Sequence, residues 1–267
     1  MFDNIFESLF NNNPIILKEI KCRMRSRMEP RVQKLIIGSL CFLLLWIYFL
    51  IFRAIYKYPV DANDGFYAAY SLLVLIIWLL CPVIASNTVT QEKEQQTWQM
   101  LCFSLLKPYQ IVFGKFIVRM IPPMFVIFVF LPFLLFSYSL STIPLTRLLL
   151  ALFFLCFWSV FLTTVSMYAS WRSKRTSAAI TLSFLVVIFL VLGTSIAAGT
   201  VALAGNYSEL GDACIWLNPV RIVIIVMDQS HTGNTEAIFL NLAVLGSLTI
   251  AMFYIMITRL KGSAMER

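Results

Sequence analysis

Few residues in this chain have the type and spacing to do chemistry. Gly114-Lys115 has the ending of a phosphate-binding loop, but Phe116 follows it and the upstream glycine is missing. No G-x-x-x-x-G-K-[S/T] occurs anywhere, which excludes ATP hydrolysis by the P-loop route. His231 is the single histidine and sits beside Gly233 and Asn234, a setting for a solvated loop residue. One histidine rules out H-E-x-x-H, and no C-x-x-C appears, so metal-assisted hydrolysis and redox pairing have nothing to stand on. No catalytic residue and no metal ligand are assigned, and the expectation is that the chain is not an enzyme.

The acids tell the same story. Asp61 and Asp64 form one group, and Glu209, Asp212, Asp228 and Glu236 another, all in polar stretches between apolar runs. They read as solvated loop acids. A proton- or sodium-coupled carrier needs carboxylates at mid-membrane, and the apolar runs hold almost no charge. An intramembrane enzyme is disfavoured on the same ground. Cys41, Cys81 and Cys156 fall in apolar runs, Cys22 and Cys102 on one face, and Cys214 alone on the other, so the six cysteines make no disulfide framework.

These residues must be positioned by elements that are mostly apolar. Hydrophobic residues make up 60% of the 267 and mean hydropathy is +0.84, an excess that one globular core of this size cannot bury. Six runs, 35–52, 66–85, 111–138, 145–169, 178–204 and 237–258, reach the length needed to cross about 30 Å of hydrocarbon as a helix. The first fourteen residues lack a basic start followed by an apolar core, so no cleavable signal peptide is expected. Of the 21 lysines and arginines, only Arg53, Lys57, Arg147 and Arg221 fall on one face of this arrangement. The others flank the opposite ends, which places both termini and the loops after spans two and four in the cytoplasm. The fold class is thus all-α and membrane-integral, with residues 1–267 forming one transmembrane domain in a plasma (inner) membrane. The net charge of +8 follows from this topology, so no nucleic-acid partner is implied; membrane lipid is, because such basic flanks hold anionic headgroups.

Residues 13–30, NPIILKEIKCRMRSRMEP, carry Ile16, Ile20, Met24 and Met28 at four-residue spacing, with Lys18, Lys21 and Arg25 facing away. The pattern predicts an interfacial helix on the inner leaflet, against the alternative of a basic flank that only fixes orientation. Pro122, Pro123 and Pro132 fall in the third span, where proline either shapes a hinge or is simply tolerated. In the fifth span Ser195 with Gly199, and Ala198 with Ala202, allow close helix approach, within the chain or across a dimer. Residues 206–236 include CIWLNPVRIVIIVM, apolar but too short to cross, and predict a re-entrant or interfacial outer segment.

The stretch Thr90–Lys115, TQEKEQQTWQMLCFSLLKPYQIVFGK, is the most polar internal segment. Thr90 is the expected N-cap, and Glu92 and Glu94 suit the positive end of a helix. Trp98, Leu101 and Leu105 then share one face, and Pro108 ends the run. The spacing predicts a continuous amphipathic helix over 90–106 that touches no membrane-spanning core and fits a groove on a soluble partner.

Glu92-Lys93-Glu94-x-x-Thr97-x-x-x-Leu101, followed by Ile111-Val112-Phe113-Gly114-Lys115, resembles the permease subunits of ABC-2-type ATP-binding-cassette transporters. That family carries E-[R/K]-E-x-G-T-x-x-x-L after its second span, then an "ILLGK"-like start to the third. Residues 13–30 look like its connecting helix, and Asn218-Pro219 is similar to its re-entrant region. Gln96 stands where the family usually has glycine, and Leu105 falls near a common proline. The resemblance implies an exporter permease that forms a substrate path with a second permease subunit. It implies a separate ATPase subunit, which binds the ATP and Mg, docking on 90–106 through Glu92, Glu94, Thr97, Trp98, Leu101 and Leu105. This chain itself would hold no cofactor. With 23 Phe, 10 Tyr and 6 Trp, amphipathic or lipid-like cargo is expected. An ATP-independent channel or carrier, or a membrane scaffold, are the competing readings.

Overall fold

The computed structural model describes residue 53, residues 62–97, 107–139, 141–203, residue 218 and residues 235–265. The expected interfacial helix at 13–30, the first apolar run at 35–52, residues 98–106 and the outer segment apart from Asn218, Thr235 and Glu236 lie outside them. Six helices account for nearly all of the description: α1 (Ala62–Ala85), α2 (Asn87–Glu94), α3 (Pro108–Ser139), α4 (Leu145–Arg172), α5 (Thr176–Leu203) and α6 (Thr235–Met265). Among the described residues there is no strand.

Among the described residues, five segments are long and apolar enough to cross a membrane: Gly65–Glu94, Pro108–Ser139, Leu145–Arg172, Thr176–Ala197 and Ile238–Leu260. They coincide with the last five of the apolar runs and fit a multi-pass membrane protein. Their outward faces agree, since Phe128, Phe189, Phe239 and Ile250 are each more than 70% exposed. A water-soluble domain does not carry apolar surface so widely. Helix α3 runs unbroken through Pro122, Pro123 and Pro132, so the prolines are accommodated within one span.

Successive long helices alternate in direction. At one end of the bundle the Thr142 amide and hydroxyl both donate to Asn63 Oδ1, tying the α3–α4 turn to the start of α1. Tyr70 then donates to the Ala151 carbonyl, fixing α1 against α4. At the other end, Val112 of α3, Met167 of α4 and Met256 and Leu260 of α6 form a small apolar cluster. Helix α4 is the hub, with Phe161 to Met167 buried without interruption over nearly two turns. No single neighbour can cover every side of a helix, so α1, α3, α5 and α6 must surround it. Its small hydroxylated residues make the close approach feasible. Thr163, Thr164 and Ser166 return their hydroxyls to the carbonyls of Ser159, Val160 and Leu162, so the hydroxyls add no unmet polar group.

Candidate functional site

The densest buried polar network among the described residues lies at the junction where α1 turns into α2. Helix α1 ends at Ala85, and the Ser86 amide and hydroxyl both donate to the Pro82 carbonyl. Helix α2 starts at Asn87, with Ser86 in the N-cap position but making no side-chain cap. The cap comes from another helix: Ser170 Oγ of α4 accepts from the amides of Val89 and Thr90 at 2.9 and 3.1 Å. Thr90 is therefore inside the helix and is not its N-cap. Its hydroxyl donates to the Ser86 carbonyl.

The three consecutive charges of Glu92-Lys93-Glu94 point in three directions, as residues about 100° apart on a helix must. Glu92 Oε2 pairs at 2.6 Å with Lys115 Nζ of α3, whose side chain is only 2% exposed. Lys115 also donates to the Thr88 carbonyl. One turn further along α3, Arg119 donates to the Ile84 carbonyl and to Asn87 Oδ1. A buried ammonium without a partner carries a desolvation penalty of several kcal/mol, which the Glu92 carboxylate and the carbonyl offset.

Lys93 and Glu94 act on helix ends. The Lys93 ammonium donates to the carbonyls of Trp171 and, at 2.9 Å, Ser173, where α4 terminates. Glu94 Oε1 accepts from the Thr176 amide at 2.7 Å and its hydroxyl at 3.0 Å, where α5 begins. A helix presents partial negative charge at its C-terminus and partial positive charge at its N-terminus. The cation is thus set against the end of α4 and the anion against the start of α5, and the order Lys-Glu matches the order of the two termini. With Glu92 on α3, α2 is fastened to three spanning helices by three adjacent side chains.

The expectation of a continuous helix over 90–106, free of the spanning core, is corrected by this geometry. Helix α2 ends at Glu94 and its N-terminal half, Thr88 to Thr90, is buried. The Gln96 amide donates to the Lys93 carbonyl and the Thr97 amide to that of Glu92, the paired bonds of a helix stop whose linking residue is left-handed. Gln96 is that residue, at φ 58°, the only described non-glycine with positive φ.

The other expected site residues divide by location. Thr97 is exposed and directly follows the stop. Trp98, Leu101 and Leu105 lie outside the described residues, as do Lys18, Lys21, Met24 and Arg25. Ser195 on α5 is exposed and accepts a hydrogen bond from Asn218 Nδ2 at 2.7 Å, which also donates to the Val191 carbonyl. This ties Asn218 to α5 beside the small-residue face. Gly199 and Ala202 continue that helix, but their surroundings lie outside the description. Sequence reading missed Ser170, Thr176, Lys115 and Arg119 as parts of the junction. Serine and threonine in an apolar helix carry no distinguishing signal. Lys115 and Arg119, at i and i+4 on one span, did carry one, but Arg119 was read only as cytoplasmic charge and Lys115 as that and as part of the Gly114-Lys115 motif.

Among the described residues, no three His, Cys, Asp or Glu side chains gather as metal ligands. No protein-family model matches the chain, and no curated protein matches it in sequence.

Proposed function

We propose that the chain is the membrane-spanning permease subunit of an ATP-binding-cassette exporter, with six spans, cytoplasmic termini, and a second permease subunit completing the path. A separate ATPase subunit docks on the segment that follows α2, through Thr97, Trp98, Leu101 and Leu105, and amphipathic or lipid-like cargo passes between the permease subunits. The observation that carries the reading is the three-way fastening of Glu92, Lys93 and Glu94 to α3, α4 and α5. A partner pushing on the segment beyond Gln96 would move all three helices together, as a driven permease requires. Gln96 adds support, because it stands at the resembling family's glycine position and adopts the left-handed conformation that glycine takes freely.

The test is retention of an ATPase subunit. The neighbouring reading frame should encode a protein with Walker motifs, and it should co-purify with the tagged permease. Trp98→Ala or Leu101→Ala should lower its affinity roughly thirtyfold, the effect of losing an anchor of about 2 kcal/mol, while the bundle still inserts. Full retention and full transport in both variants would remove the docking assignment. Absence of any ATPase partner would favour the channel, carrier or scaffold readings.

A further inference from the structure

The α4–α5 turn holds a second cluster whose side chains the junction does not use. Trp171 lies in the last turn of α4, Arg172 follows it, and Lys174 and Arg175 occupy the turn. From α6, the Arg259 guanidinium lies over the Trp171 ring, 5.7 Å from its centroid, and Tyr168 packs beside Trp171 at 6.2 Å between rings. Arg172, Lys174, Arg175 and Arg259 are all exposed. Among the described residues, no carboxylate forms an ion pair with any of them. The acids at hand are already engaged, Glu92 by Lys115 and Glu94 by the Thr176 amide and hydroxyl.

We propose that these residues form a binding site for the phosphate headgroup of an anionic phospholipid. The cation–π contact with Trp171 keeps the Arg259 guanidinium beside the ring, and its fork of N–H donors suits phosphate oxygens. Trp171 and Tyr168 mark the level at which aromatic side chains meet the membrane–water boundary. Below Arg259, Leu248, Met252 and Ile255 recur at spacings of four, three and four on one face of α6; Leu248 is exposed, and Met252 and Ile255 are each partly exposed. An acyl chain can follow that face while its headgroup sits at the cations. A free anion would meet the same cations without the apolar face, and a soluble acidic partner would not use it.

The experiment follows thermal unfolding of the full chain in neutral detergent, titrated with phosphatidylglycerol, with phosphatidylcholine of the same acyl chains, or with inorganic phosphate. Wild type should be stabilised saturably by phosphatidylglycerol alone, and more weakly at high salt. Arg259→Gln should raise the half-saturating concentration roughly fivefold, and Arg172→Gln with Lys174→Gln and Arg175→Gln on the order of a hundredfold. Arg259→Lys keeps the charge but loses the fork of N–H donors that grips phosphate, so it should bind more weakly than wild type. Equal binding by Arg259→Lys and wild type would reduce the effect to diffuse surface attraction and overturn the site. Stabilisation by inorganic phosphate equal to that by phosphatidylglycerol would make it an anion site without a lipid. No response to phosphatidylglycerol would leave the cluster to an acidic partner and end the proposal.

Discussion

Gln96 has a side chain where the backbone favours none. A left-handed residue with a Cβ is strained by about 1–2 kcal/mol relative to right-handed backbone, and glycine relieves most of this at some entropic cost. Gln96→Gly should therefore stabilise the protein by about 0.5–1 kcal/mol, read as a rise in melting temperature in detergent. The Glu92–Lys115 pair should behave oppositely. Removing one partner leaves a buried charge, so Glu92→Gln should destabilise by about 3 kcal/mol, somewhat less if water reaches the partly exposed carboxylate. The double variant Glu92→Gln with Lys115→Met should recover much of that loss. Equal losses in the single and double variants would show that the pair is not the source of the effect.

At the scale of elements, the junction depends on helix ends being capped by side chains from elsewhere in sequence. Ser170→Ala strands two amides of α2, Val89 and Thr90, in a buried setting, and should cost about 1–2 kcal/mol. Glu94→Ala uncaps α5 and should cost about 1 kcal/mol. Hydrogen exchange separates the two. Ser170→Ala should speed exchange at Val89 and Thr90, and Glu94→Ala at Thr176 and the residues just after it. Uniform acceleration across the bundle in both would indicate global loosening in place of lost caps.

For the molecule as a whole, α4 concentrates the packing while the outer faces meet apolar surroundings. Leu162, fully buried at the centre of α4, should cost about 3 kcal/mol when cut to alanine, because the cavity has atoms missing on every side. Phe189, 78% exposed on α5, should cost less than about 1 kcal/mol despite its larger side chain. Comparable losses at the two positions, measured by unfolding in the same detergent, would mean that α5 is covered by another subunit or that α4 is not the hub.

The apolar runs and their lengths could be read from residue order, and the last five coincide with helices long and apolar enough to cross a membrane, because a bilayer demands about twenty apolar residues and a helix that satisfies its own backbone. The Glu-Lys-Glu segment was legible as a special site for the same reason, since charge is conspicuous in such a chain. What residue order does not contain is which partner each charge meets. Ser170 and Glu94 cap helices 80 or more residues away in one direction or the other, and local patterning instead placed the cap at Thr90 and carried the helix past Gln96. Capping, burial of Lys115 and the helix stop at Gln96 all depend on where α3, α4 and α5 end in space. Long-range packing sets those positions, so only the tertiary structure decided them.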